Sequence, residues 1–184
     1  MTSYIAAPWR EEYVRGLDRA PRGCLFCRAA KSRDDAASHV LFRGRFNFVL
    51  LNKYPYTAGH LMIAPYRHLA SYDRASKPAS DELADLTKLC LKVLRRAYAP
   101  QGFNTGMNLG RSAGAGIADH YHLHIIGRWT GDSNFMPLVG RVRVLIEDLD
   151  RTYARLCPLF PEGERTARTS KNRKAGPRPD PISR

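Results

Sequence analysis

Four shortages narrow the field before any motif is read. No apolar run comes near the roughly 20 residues that a membrane-crossing helix needs, and the opening Met-Thr-Ser-Tyr-Ile has neither the basic nor the apolar stretch of a secretion signal. A soluble, cytoplasmic protein with no membrane partner is the expectation. Cysteine is scarce, with four in 184 residues, and without a secretion signal these argue against a disulfide framework. Acidic residues are outnumbered 17 to 30 by Lys and Arg, for a formal net charge of +13, so an anionic ligand or partner is considered first. Glycine (14) and proline (12) are too few and too scattered for a fibrous protein.

What is present suits one globular unit with an appendage. The chain is 43% hydrophobic and 10% aromatic, enough to bury a sizeable core. Residues 1–160 read as one domain. From Pro161 to Arg184 there are seven basic and three acidic residues, four prolines, no aromatic and one large aliphatic residue, Ile182. That composition cannot bury enough surface to offset the entropy of ordering, so residues 161–184 are expected to form a disordered basic tail. Its Arg and Lys suit weak, salt-sensitive contact with nucleic acid, but no aromatics are there to stack on bases.

Between these limits the chain alternates short strands and helices. An amphipathic leader spans Pro8 to Leu17, followed by Cys24-Leu-Phe-Cys27. A hairpin is predicted from Val40 to Arg43, a turn at Gly44, and Phe46 to Leu51. A polar loop from Asn52 to Gly59 leads to a strand over His60 to Ala64. Ser80-Asp81-Glu82 supplies an N-cap and acidic first turn for a helix whose apolar positions are Leu83, Leu86, Cys90, Val93 or Leu94, and Ala97. Two more strands, Phe103 to Leu109 and His120 to Ile126, flank the Gly-rich run Gly110 to Gly116. A second helical pattern runs from about Val142 to Leu156. An antiparallel meander with an inserted helix favours the α+β class, with two main helices.

The densest chemistry is His120-Tyr-His122-Leu-His124-Ile-Ile, three of the six histidines at alternate positions. Strand alternation puts their imidazoles on one face about 6–7 Å apart, with Tyr121, Leu123 and Ile125 turned to the core. Small residues just upstream let backbone N–H groups approach a phosphate. Near neutral pH, imidazole is a nucleophile, and attack at phosphorus needs such a group, donors for the oxygens, and a proton for the leaving group.

This pattern resembles the histidine triad superfamily, whose signature is His-φ-His-φ-His-φ-φ with φ apolar. The resemblance runs from about Trp9 to Leu156. It takes in Asn52, Gly59-His60, Pro65-Tyr-Arg-His68 and Asn104-Thr-Gly-Met-Asn108. Within the superfamily, Asn52 to Tyr56, Gly59 to Met62, Pro65 to Arg67 and Arg128 to Phe135 look most like the bacterial diadenosine tetraphosphate phosphorylase and hydrolase branch. The resemblance implies that His122 attacks the α-phosphorus and carries the nucleotidyl group, and that His124 and His60 stabilise phosphate oxygens and assist the leaving group. Asn108 with Gly114, Ala115 and Gly116 would complete a phosphate cradle. Asn52 would hold ribose hydroxyls, although an Asn before a Pro-containing loop is also an ordinary turn residue. A homodimer is implied too, and magnesium accompanying the polyphosphate substrate. Where many relatives carry Gln or Ser four residues before the first triad histidine, this chain has Gly116, which leaves a roomier pocket.

Cys24 and Cys27 have the spacing of a zinc knuckle or of a redox pair. A closed tetrahedral site needs two further ligands, for which His68 and His120 are the candidates. Several bacterial histidine triad proteins resemble this arrangement, so the expectation is a structural zinc that anchors His120 two residues from His122. Arg43, Arg45, Lys53, Arg67, Arg111 and Arg128 flank the pocket segments, where they could clamp a polyphosphate or simply be solvated. The function expected is nucleotidyl transfer or hydrolysis at the α-phosphate of diadenosine tetraphosphate. The alternatives are hydrolysis of nucleoside phosphoramidates or acyl-adenylates, deadenylation of nucleic-acid ends, and a non-enzymic nucleotide-binding module.

Overall fold

The computed structural model describes residues 23–132 and 147–161. The leader at Pro8 to Leu17, the start of the second helical pattern, and the tail beyond Pro161 lie outside them. Among the described residues, three α-helices and five strands follow in order. They are α1 (Leu25–Lys31), β1 (Val40–Arg43), β2 (Asn47–Leu51), β3 (Leu61–Pro65), α2 (Lys77–Tyr98), β4 (Gly102–Gly106), β5 (Leu123–Arg128) and α3 (Leu149–Leu156). The strands form one antiparallel sheet in the order β1-β2-β3-β5-β4, and the α+β expectation holds.

β2 and β3 are buried at every position because both faces of the sheet are covered. Alternation sorts their side chains. Val49, Leu51, Leu61 and Ile63 join Leu83, Leu86, Cys90 and Leu94 of α2 and Leu156 of α3 in the larger core. Phe48, Leu50, Met62 and Ala64 meet Phe26 and Ala29 of α1 in a smaller core on the other face.

The long helix starts earlier than Ser80. Its N-cap is Ser76 and Pro78 sits in its first turn, where a missing N–H costs nothing. Glu82 is therefore not a first-turn acid. Its carboxylate accepts the N–H groups of Arg45 (2.6 Å), Phe46 (2.8 Å) and Asn47 (2.7 Å) and the Asn47 amide (2.9 Å), tying α2 to the β1–β2 turn. Gly44 fits there because a Cβ would lie 2.8 Å from that carboxylate.

The strand boundaries also shift. β4 ends at Gly106, which pairs with His124; β5 begins only at Leu123, so Asn108 and Leu109 have no strand residue opposite them. Residues 120–122 are bonded elsewhere: Tyr121 N–H donates to Leu69 O (2.7 Å) and the His120 ring to Pro65 O (2.9 Å). The register Met62↔His124 puts His124 on the α1 face of the sheet. α3 starts at Leu149, capped by the Asp148 carboxylate, which accepts Arg151 N–H.

Candidate active site and metal centre

The four histidines of the proposed centre are held in defined tautomers by partners that can play only one role. A carbonyl oxygen only accepts, so the 2.9 Å contact between His122 Nδ1 and His120 O puts the proton on Nδ1 and leaves Nε2 with the lone pair. A backbone N–H only donates, and Tyr56 N lies 3.1 Å from His60 Nδ1, with the Asn52 amide at 3.3 Å. His60 therefore carries its proton on Nε2 and donates it to His124 Nδ1 at 2.9 Å. His124 in turn must present an N–H at Nε2. The His122 and His124 rings lie edge to face, 4.7 Å between centroids, closer than strand spacing alone suggests.

Two residues thus present complementary chemistry, a lone pair on His122 and a donor on His124. His60 stands behind them. It is 1% exposed, and both its ring nitrogens are engaged within the protein. The approach of residues 59 and 60 needs glycine. Gly59 has φ +69°, and a Cβ there would sit 2.8 Å from the Tyr98 ring and 2.9 Å from Leu94. His122 is only 6% exposed, and burial pushes its pKa below the usual imidazole value, keeping the ring neutral.

Asn52 is turned inward: its side-chain oxygen accepts Tyr54 N–H (3.0 Å) while its amide approaches His60. That is the turn reading of this residue, with a positioning contact added. Asn108 lies two residues beyond β4, half-buried. The loop after Gly110 reaches the histidine face, since Ile117 packs against the α1-side core. Its N–H groups are bonded within the loop, Gly114 to Arg111 O (2.9 Å) and Ala115 to Gly110 O (3.3 Å). In this conformation those two N–H groups close a turn of their own, and serving as phosphate donors would require the turn to open.

Cys24, Cys27, His68 and His120 converge. Their ligand atoms all lie within 4.8 Å of one another. Sγ of Cys24 is 3.3 Å from His120 Nδ1, and Sγ of Cys27 is 3.3 Å from His68 Nδ1 and 3.7 Å from His120 Nδ1. A tetrahedral ion with metal–sulfur bonds of about 2.3 Å and metal–nitrogen bonds of about 2.0 Å spaces such atoms about 3.6 Å apart, close to these three distances, and the donor set suits a metal. The His120 Nε2–H donates to Pro65 O, which leaves Nδ1 as ligand atom and supplies the outer hydrogen bond usual for metal-bound imidazoles. Burial lowers the His120 pKa to about 4, so the ring is neutral, as a ligand must be. Burial and the neighbouring Cys24 raise the Cys27 thiol pKa in the absence of metal.

Two of the suspected polyphosphate clamps are committed elsewhere. Arg43 is 7% exposed. Its guanidinium donates to the carbonyls of Ala29, Ala30 and Ser32 at 3.0 Å each and pairs with Asp35 at 2.7 Å. It caps the C-terminal end of α1. Arg128 makes a bidentate pair with Asp132 (2.6 and 2.8 Å) and bonds Asn104 (2.8 Å). Sequence reasoning passed over Phe26. Its ring lies 4.6 Å from that of His122 and 5.2 Å from that of His120, and its place between Cys24 and Cys27 was the available signal.

Fold and histidine cluster together define a class, and comparison agrees. The HIT domain family matches residues 33–131, and the chain belongs to that family. It is similar to the AP-4-A phosphorylase of Mycobacterium tuberculosis, 40% identical over 111 residues, which is 60% of this chain. The match spans 57% of that relative's length. Among solved structures it resembles a Zn-bound histidine triad family protein from Mycobacterium smegmatis, with TM-score 0.60, 20% identity, and coverage of 74% of this chain and 92% of that one. It also resembles a hypothetical histidine triad nucleotide-binding protein from Sulfolobus tokodaii, with TM-score 0.57, 27% identity, and coverage of 82% and 95%. No helix among the described residues is long and apolar enough to cross a membrane.

Proposed function

We propose that this protein is a nucleotidyltransferase or hydrolase that cleaves dinucleoside polyphosphates at the α-phosphate, with diadenosine tetraphosphate the first substrate. The observation that carries the reading is the pair of fixed tautomers, a nucleophilic Nε2 on His122 beside an Nε2–H on His124. Likeness to the AP-4-A phosphorylase supports the choice of substrate. In the first step His122 Nε2 forms a bond to the α-phosphorus as the bond to the leaving polyphosphate oxygen breaks. His124 hydrogen-bonds its Nε2–H to that oxygen, which departs as the polyphosphate anion, and the bond from His60 Nε2–H to His124 Nδ1 keeps that donor in place. The positive charge that builds on His122 is stabilised by the His120 carbonyl at Nδ1. In the second step water or inorganic phosphate bonds to the same phosphorus as the bond to His122 Nε2 breaks, the electron pair returns to that nitrogen, and the acceptor's proton passes to solvent.

We assign the metal held by Cys24, Cys27, His68 and His120 as zinc. Four protein ligands leave no open position, so what it supplies is rigidity at His120. A homodimer fits the open edge of the sheet, where Asn104, Thr105 and Gly106 of β4 are exposed. The test incubates the protein with diadenosine tetraphosphate, adenosine phosphoramidate and adenylated DNA, with and without labelled phosphate. Phosphorolysis yields one ADP carrying the label and one ATP, and hydrolysis yields AMP and ATP. Gly116 leaves room for phosphate as acceptor, so labelled ADP is expected. Cleavage of the phosphoramidate or the adenylated DNA with the tetraphosphate left intact overturns the reading.

A further inference from the structure

The function described above uses the four histidines and the metal ligands but gives no part to the aromatic ring that touches the nucleophile. Phe26 is 1% exposed, and its ring lies 4.6 Å from the His122 ring at 37°, and 5.2 Å from the His120 ring at 50°. A single hydrogen bond, from Nδ1 to His120 O, pins one corner of the His122 imidazole, and the His124 ring meets it edge to face at 4.7 Å, which leaves the other side of the ring to be held by packing. A neighbouring ring face in contact removes that freedom. The mount of Phe26 is fixed at both ends. Cys24 and Cys27 of the metal centre flank it in sequence, and the buried Arg43 guanidinium binds three carbonyls at the far end of α1.

Resting on the proposed function for its role in turnover, we infer that Phe26 is a positioning residue: its ring braces the His122 imidazole so that Nε2 faces the substrate, with α1 as the rigid mount. Phe48 supplies the contrast. It belongs to the same small core, is fully buried, and stacks on Tyr66 at 5.3 Å, away from the histidine cluster. A ring that merely fills the core behaves like Phe48. A ring that orients the nucleophile does not.

The test compares Phe26→Leu and Phe26→Met with Phe48→Leu in the full chain, with metal content verified. For the Phe26 variants kcat with diadenosine tetraphosphate falls about 10- to 100-fold while KM changes less than about twofold. Phe48→Leu loses comparable thermal stability and keeps its kcat. Independently of any substrate, the ring-proton resonances of His122 in the wild-type protein shift upfield from the ring current of Phe26, and its ring nitrogens report a single Nδ1–H tautomer. In the Phe26 variants that upfield shift disappears and the nitrogen signals average. Equal kcat losses in the Phe26 and Phe48 variants overturn the inference, as does a wild-type His122 spectrum without the upfield shift even if the variants fail to fold. A protein inactive on every nucleotide tried, yet showing the wild-type and variant spectra described, fails the functional reading and keeps the brace.

Discussion

His120 and His122 are joined by a hydrogen bond of 2.9 Å from the His122 ring to the His120 main-chain oxygen, while the His120 ring itself faces the two cysteine sulfurs. One residue therefore belongs to both the Cys–His cluster and the hydrogen bond that orients His122. On the proposed reading, geometry at the metal is transmitted to the reacting nitrogen through a single residue's backbone, and the predictions below follow from that coupling and from the His60–His124 hydrogen bond beside it.

Removing the metal costs stability and turnover together. Elemental analysis is expected to give one equivalent of zinc per wild-type chain and none for Cys27→Ser. Its melting temperature falls toward that of chelator-treated protein. At free zinc a thousandfold above Kd the bound ion is worth about 4 kcal/mol. Metal-free wild-type protein with an unchanged melting temperature contradicts the assignment.

The His60–His124 hydrogen bond predicts a graded series at residue 60. His60→Ala leaves Tyr56 N–H without its acceptor and His124 Nδ1 without its donor, so kcat falls by about 10²-fold or more with KM little changed. His60→Gln can accept at one end and donate at the other, and recovers part of that loss. Steady-state kinetics on the two variants check it, and equal rates for both count against a role for that bond.

Burial holds His120 and His122 neutral, His120 with a pKa of about 4 against the ordinary 6.5 and His122 shifted in the same direction. Below about pH 6.5 the unfolded chain binds protons that the metal-free folded chain refuses, so stability present above that pH is lost as the pH falls. For His120 alone the full loss is about 3 kcal/mol, reached near pH 4. Urea melts of chelator-treated protein between pH 7 and pH 4 measure it, and a flat profile refutes it.

Glu82 is a structural staple with no part in the chemistry. Glu82→Gln weakens four hydrogen bonds to the β1–β2 turn, for a loss of about 1.5–3 kcal/mol in denaturant unfolding at unchanged kcat. A fall in kcat without a fall in stability is the opposite result.

The legible part of this protein was the part written in local pattern. The apolar runs of β2 and β3, the apolar stripe of α2 and the triad at 120–124 could be read because composition, period and spacing carry them. The Cys24, Cys27, His68 and His120 set was readable because few residue types bind metals and the chain has few of them. What escaped depends on long-range pairing. Glu82 read as a helix-start acid because nothing local announces three N–H groups 35 to 37 residues away. Arg43 read as a phosphate clamp or a solvated surface residue because a buried cap for α1 looks like any basic residue until the chain is folded. The Phe26 ring had to be placed by α1 before its contact with His122 could exist, and the tautomers of the histidines rest on Tyr56 N–H, Pro65 O and His120 O, backbone atoms that no side-chain pattern reveals.

The central claim is that His122 carries the nucleotidyl group. The most direct measurement mixes the protein with diadenosine tetraphosphate for less than one turnover, quenches it under alkaline denaturing conditions that preserve a phosphoramidate, and maps the modified peptide by mass spectrometry. The account predicts an adenylyl adduct on His122, absent from His122→Asn, whose turnover falls by about 10⁴-fold or more. An adduct on another residue, or full turnover by His122→Asn, would contradict it.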